Sequence, residues 1–523
     1  MKRPFFVVLS AVFLAGAAVI AVSPAAAQSF WLGVDASTKL TNTTSQDLHD
    51  FLETSVLPEL QTSPFMDPGN NPAGERGVLV YDRKKAWNGY TRLSAFGGYQ
   101  GPGGPFDTRA AVLIDMDGNV INTWSTAFMG LPAKMLPNGD VMVGGAEGGV
   151  FMEGEVTQKN WMGAVVGSWG KQHHDHQREG NPVGYYAPGM DATTDSGVTM
   201  WLDRSLESGT GISQWDPLED DVIYQADWEG NITWEWHAID HFEANGAGDL
   251  GMGFDANAKH AIYYGPWIPG IDRGHDWTHA NCVSWLGPNP WFDKAKGGKD
   301  YRFHPENIII DSRTANWIAI IARYDHPDGT WLSGDIVWRV GPDYSAAMPE
   351  RKIGQISGPH QSHFIPRTLP GAGNVLVFDN GGMAGFGSFF RGMKDMNGEP
   401  IGTYPVTLRD YSRIVEFNPV TLEVVWEYVQ AQPTADRNGD GLIRGNERLF
   451  FAPYFSSAQR LHNGNTLITE GNSGRVLEVT PDGEVAWEYI NEHDAGFFGK
   501  MLYRAYRVPK QWVEAGMNGG VEP

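Results

Sequence analysis

Three histidine groups stand out along the chain: His173-His174-Asp175-His176, His275-Asp276-Trp277-Thr278-His279-Ala280-Asn281 and His360-Gln361-Ser362-His363. Imidazole changes charge near neutral pH, so it serves as nucleophile, general acid or base, or ligand for zinc and copper. The blander reading is a set of turn histidines satisfied by local carbonyls; their repeated placement weighs against it. Arg313 sits in the apolar run IIIDSRTANWIAII, where an unpaired guanidinium is costly. Its planar fork matches the oxygens of a tetrahedral anion. A fixed cation also repels a divalent metal, so the combination favours an oxyanion pocket over a three-histidine metal site.

A second constellation is separate. Asp436-x-Asn438-x-Asp440-Gly441-Leu442-x-Arg444-x-x-Glu447 carries oxygen donors at loop positions one, three, five and twelve and glycine at six. That spacing is what a seven-coordinate calcium loop needs, with the Leu442 carbonyl as the backbone ligand. Its flanks, Pro433 and Phe450-Phe451-Ala452-Pro453, do not read as long helices. The expectation is a solitary loop holding structural calcium; the alternative is an ordinary Asx/Gly turn cluster.

The elements that must position these residues repeat. A β-branched run, a turn and an alternating strand ending in tryptophan recur at Trp124, Trp234, Trp426 and Trp487, with looser copies at Trp169 and Trp338. Asp117-Gly118, Glu229-Gly230 and Asp482-Gly483 supply the tight hairpin turns. A second hairpin follows several copies, as in AKMLPNGDVMV from Ala133 and AQRLHNGNTLITEG from Ala458. Hairpin plus hairpin makes a four-stranded unit that cannot bury both faces alone, and radial closure removes its edges. Six such modules predict an all-β, six-bladed β-propeller, with the tryptophans as packing between blades. In that architecture the start of each innermost strand lies at one rim, so histidines distant in sequence would converge on the axis.

The chain has 523 residues, with 39 Lys+Arg against 62 Asp+Glu, for a formal charge of −23. Such an acidic balance disfavours nucleic acid, which needs a basic face. Lys2, Arg3, the apolar run Phe5–Val22 and Ala25-Ala26-Ala27 read as a secretory signal peptide over 1–27, with an uncleaved membrane anchor as the alternative. A periplasmic or secreted protein that is not membrane-embedded is therefore expected. Cys282 is the sole cysteine, so no intramolecular disulfide exists. Residues 28–100 lack the repeat and are expected to form a small cap that includes an amphipathic segment over 46–60. The propeller is expected over 101–500, followed by a tail over 501–523.

With these pieces assembled, DWTHANCV, SRTANWIAII, GPHQSHFIPRTLPGAGNVLVFDNGG and FSSAQRLHNGNTLITEGNSGRVLEVTPDGEVAWEY together resemble the bacterial arylsulfotransferase family, over roughly Gly101 to Glu492. The resemblance implies a periplasmic six-bladed propeller that moves a sulfuryl group from an aryl sulfate to a phenolic acceptor without nucleotide sulfate. It implies no catalytic cofactor. The family's nucleophilic histidine, which becomes a transient sulfohistidine, maps onto His360, with His363 in reserve. Its His-x-Asn pair maps onto His279 and Asn281, its strand arginine onto Arg313 and its earliest channel histidine onto His174, with His173 and His176 as neighbouring registers. The chain departs from the family by an insertion from Gly287 to about Asn307.

The residue types suit that chemistry. Neutral imidazole attacks without help from a base, a second histidine protonates the departing phenolate, and Arg313 with Asn281 holds the sulfuryl oxygens. Ping-pong kinetics follow. Trp277 and Phe364 are candidate walls for the aryl ring. Two rivals remain at this level: a quinoprotein dehydrogenase, whose blades also end in Gly-x-x-x-Trp, and a propeller that only binds a ligand.

Overall fold

The computed structural model describes residues 75–95, 111–126, 132–144, 154–209, 217–241, 278–293, 299–313, 316–341, 349–381, 411–430, 450–452, 455–492 and 500–519. Within them lie six antiparallel sheets, the blades of a β-propeller. From the axis outward, blade 1 pairs Leu502–Val508, Tyr90–Ala95, Ala111–Ile114 and Val120–Trp124. Blade 2 pairs Lys134–Met135, Val141–Gly144, Gly154–Lys159 and Val165–Gln172; blade 3 pairs His176–Arg178, Thr199–Glu207, Leu218–Ala226 and Ile232–His237. Ala280–Trp285, Ile308–Ser312, Trp317–Ile321 and Ile336–Val340 form blade 4. Blade 5 holds Pro359–Phe364, Val375–Asp379, Arg413–Phe417 and Val424–Val429. Blade 6 holds Ser456–Arg460, Thr466–Glu470, Arg475–Val479 and Val485–Ile490, with Gly77–Tyr81 as a fifth, outer strand.

Each repeated tryptophan lies on the fourth strand of its own blade. The six indole N–H groups follow one rule. Trp124 donates to the Asn160 carbonyl at 2.9 Å, Trp169 to Asp227 O at 3.2 Å, and Trp234 to Ser333 Oγ at 3.2 Å. Trp338 donates to Pro419 O, Trp426 to Pro481 O and Trp487 to Met116 O, each at 2.9 Å. Every acceptor lies in the turn before the fourth strand of the next blade, and the last bond returns from blade 6 to blade 1. Burial of the ring and satisfaction of its donor thus fix the spacing between blades. Apolar side chains fill the space behind these bonds: between blades 4 and 5, Ile309, Ile318, Ile320 and Trp338 pack against Phe364, Val375, Val415 and Phe417.

The expected domain boundaries shift. Tyr90–Ala95 lies inside the segment read as a cap, and Leu502–Val508 inside the segment read as a tail, yet they pair with each other in blade 1, Leu93 opposite Ala505. The C-terminal strand supplies the innermost position of the N-terminal blade, which closes the ring and covers the inner edge of Tyr90–Ala95. After it, helix Lys510–Met517 packs Trp512 and Val513 against blades 1 and 2. The amphipathic segment over 46–60 and the calcium-type loop with Asp436, Asn438, Asp440, Leu442 and Glu447 lie outside the described residues.

Candidate active site

Inner strands of blades 3 to 6 all start at one rim of the channel. His174 sits two residues before His176–Arg178, His279 immediately before Ala280–Trp285, and His360 is the second residue of Pro359–Phe364. The chain enters these strands through left-handed backbone: φ is 61° at His174, 45° at His279, 51° at Gln361 and 52° at Phe455. Side chains with a Cβ rarely adopt that region, and such strain gathers where geometry is functional.

The geometry brings the expected residues together. The His174 and His279 rings meet edge to face, 4.7 Å between centroids. Arg313 donates its backbone N–H to the His279 carbonyl at 3.2 Å. Asn281 Nδ2 donates to Pro359 O at 3.0 Å, tying the blade 4 entry to the residue before His360. All five side chains (His174, His279, Asn281, Arg313 and His360) are buried.

His360 is held in one tautomer. Its Nδ1 lies 2.8 Å from Asn380 Oδ1 and 3.0 Å from the Gly358 carbonyl, and both are acceptors once Asn380 Nδ2 donates to Ala452 O and Ser456 Oγ. Nδ1 therefore carries the hydrogen and Nε2 the lone pair. Burial first, and the Arg313 charge second, push its pKa down to about 3, so the ring is neutral at pH 7. His363 differs. Its Nδ1 donates to Gln361 O at 2.7 Å and its Nε2 accepts from Tyr185 Oη–H at 2.9 Å, so neither nitrogen is available to attack. The sequence left His360 and His363 as alternatives; hydrogen bonding separates them.

His174 is also neutral, its pKa held well below the ordinary value by burial, then by His279, His173, Arg204 and Arg313. Its Nδ1 lies 2.7 Å from His173 Nδ1, while His173 Nε2 faces Asp203 O at 2.8 Å and Asp221 Oδ1 at 3.2 Å. His176 turns inward instead, with Nδ1 3.0 Å from Gln172 Oε1. From blade 1, Tyr503 Oη donates to the His174 carbonyl at 3.0 Å, and Arg504 Nη2 to the Asn281 carbonyl at 2.6 Å. Below the rim, Asp175 accepts from Lys134 Nζ at 2.6 Å and the Val283 N–H at 3.1 Å, and pairs with Arg504 Nη1 at 3.0 Å. Burial alone would raise the Asp175 pKa, but Arg504 and Lys134 hold it below the ordinary value.

A sequence profile of the family described as Arylsulfotransferase (ASST) matches residues 193–496, more than half of the chain. The chain belongs to the arylsulfotransferase family. Among the proposed site residues the match covers His279, Asn281, Arg313 and His360 and begins after His174. No curated protein matches in sequence. A crystal structure of a protein of unknown function from Bacteroides caccae is 10% identical, covering 81% of this chain and 99% of that one with a TM-score of 0.37. A streptogramin B lyase is 11% identical, covering 80% of this chain and 88% of its own at 0.31. A europium-containing methanol dehydrogenase is 14% identical, covering 80% and 70% at 0.30.

Several residues of this rim cluster escape a sequence reading. Asn380 had a signal, since it follows Asp379 at the end of the FDNG strand, and Asp379 pairs with Pro359 beside His360. Tyr503 and Arg504 had none: they come from a strand whose blade lies at the other end of the chain. Of the candidate aryl walls, Phe364 is fully buried in the core between blades 4 and 5, away from the rim, and Trp277 lies outside the described residues.

Proposed function

We propose that the protein transfers a sulfuryl group from an aryl sulfate to a phenol through a sulfohistidine at His360, in two ping-pong half-reactions. The observation that carries this reading is the His360 tautomer, with Nδ1–H anchored on Asn380 and Gly358 and the Nε2 lone pair unprotonated beside the Arg313 charge. In the first half-reaction Nε2 bonds to sulfur as the sulfur–aryl oxygen bond breaks, and the electron pair leaves with the phenolate oxygen. That oxygen takes a proton from the imidazoles opposite, His174 or His279. Arg313 and the Asn281 amide bear on the sulfuryl oxygens, where charge stabilisation is worth most in a water-poor site. In the second half-reaction an acceptor phenol gives up its proton, its oxygen bonds to sulfur, and the nitrogen–sulfur bond returns its pair to Nε2. No cofactor enters. Residues 1–27 support export to the periplasm or beyond.

The test uses protein recovered from the extracytoplasmic fraction, with an N-terminus expected at Gln28. Incubation with 4-nitrophenyl sulfate and no acceptor should add one sulfuryl mass, mapped to His360 and absent in His360→Ala. An unmodified intact mass during turnover would refute the covalent route.

A further inference from the structure

The geometry points to a proton store behind the rim: the proton exchanged with the aryl oxygen passes through the His174 ring and resides on the His173–Asp221 pair. This rests on the transfer reading above and assigns to it a positioning residue, His173, and its counter-ion.

The hydrogen-bond directions follow from what each atom is able to do. The Asp203 carbonyl only accepts, so His173 Nε2, 2.8 Å away, carries a hydrogen. Asp221 Oδ2 accepts from Thr278 Oγ1–H and from the Ala280 N–H at 2.7 Å, while its Oδ1 lies 3.2 Å from His173 Nε2, placed to face a charge on that ring. A neutral His173 then has its lone pair on Nδ1, and His174 Nδ1, 2.7 Å away, must be the donor. That leaves the lone pair of His174 on Nε2, which has no hydrogen-bond partner among the described residues.

His174 is poorly placed to keep a positive charge. The groups that face it are His279 from the blade 4 entry, Arg313 behind that entry, Arg204 from the second strand of blade 3 and Tyr503 from blade 1. Among the described residues none of these is an acid. His173 faces Asp221 directly. The balanced step for the acceptor half-reaction is therefore a double transfer. The phenol proton goes to His174 Nε2, the hydrogen on His174 Nδ1 moves to His173 Nδ1, and His173 ends as an imidazolium beside the Asp221 carboxylate. In the donor half-reaction both protons run back, and the departing phenolate is protonated by His174 Nε2–H.

Leaving-group dependence tests this. 4-Nitrophenolate leaves with little need of a proton, whereas phenolate needs one. His173→Gln still accepts from His174 Nδ1–H and donates to Asp203 O, but it stores no proton. It should lower turnover of phenyl sulfate on the order of a hundredfold, in the range of lost general acid catalysis, and that of 4-nitrophenyl sulfate only about threefold. Equal losses on both donors would mean that His173 merely shapes the rim and would overturn the relay alone. Absence of turnover of any aryl sulfate by the unaltered protein would overturn the transfer reading and the relay with it. Should His173→Gln fail to fold, a proton inventory of phenyl sulfate turnover in H2O/D2O mixtures decides: two moving protons give a bowed plot, and a straight line removes the store.

Discussion

At the scale of single residues, the channel rim works by keeping imidazoles uncharged. In the proposed transfer His360 serves as nucleophile because burial and Arg313 hold its pKa near 3, against about 6.5 for an ordinary histidine. A lowered pKa means that the neutral, attacking form persists as pH falls, until about pH 3. Sulfuryl loading from 4-nitrophenyl sulfate, measured in single turnover, should therefore stay flat from pH 7 to about pH 4.5. Asn380→Asp places a carboxylate against Nδ1–H, which favours imidazolium and moves the acid limb of the loading rate upward by one unit or more, as opposite charges at hydrogen-bond distance do. A loading rate in the unaltered protein that falls with an apparent pKa near 6.5 would show that His360 is solvated and that this account of its reactivity is wrong.

At the scale of elements, the blade is stapled by its tryptophans, and that device was readable in the sequence. The six Trp-ended strands fall one per blade because the ring packs against the neighbour, fully or partly buried, while its N–H reaches the next blade's turn. Trp487 tests the staple where the ring closes: fully buried, it donates to Met116 O across the junction of blades 6 and 1. Trp487→Phe keeps an aromatic plug but orphans the carbonyl, and should cost about 1–2 kcal/mol of stability with kcat unaltered. An unchanged denaturation midpoint would mean that the indole N–H contributes nothing to closure. The closing strand itself was not legible. Leu502–Val508 is buried at all seven positions, including Arg504 and Arg507, so it lacks the apolar–polar alternation that marks a half-buried strand. Its pairing partner is also some four hundred residues away, as Leu93 opposite Ala505 shows. The same distance hid Tyr503 and Arg504 from the site, whereas His174, His279 and His360 were visible because each marks the entry of its own blade. Asp221 was hidden for another reason: it sits on the third strand of blade 3, facing the link that carries His173, and no local spacing encodes that contact.

At the scale of the whole molecule, the channel concentrates groups that pay for burial by giving up charge, and folding becomes linked to pH. His174, His176, His360 and His363 all have pKa values below the ordinary 6.5, burial being the first cause for each, with His360 near 3 and His363 near 4. Between pH 6.5 and about 4 the unfolded chain binds protons on these rings that the folded chain does not. Their stabilising effect is therefore full above pH 6.5 and is lost as pH falls. Asp311 works in the opposite sense: burial raises its pKa to about 6, so below that pH the folded state takes up a proton the unfolded state leaves in water. The four rings outnumber this carboxyl, so among these five groups unfolding takes up protons on balance in this range and stability falls as pH falls. Urea unfolding followed at pH 7.0, 6.0, 5.5 and 5.0 should show that fall steepening below pH 6.5, and Asp311→Asn should steepen it further by removing the opposing proton. Stability independent of pH over this range would mean that the four rings are hydrated in the native channel, and the dry rim on which the proposed nucleophile depends would not exist.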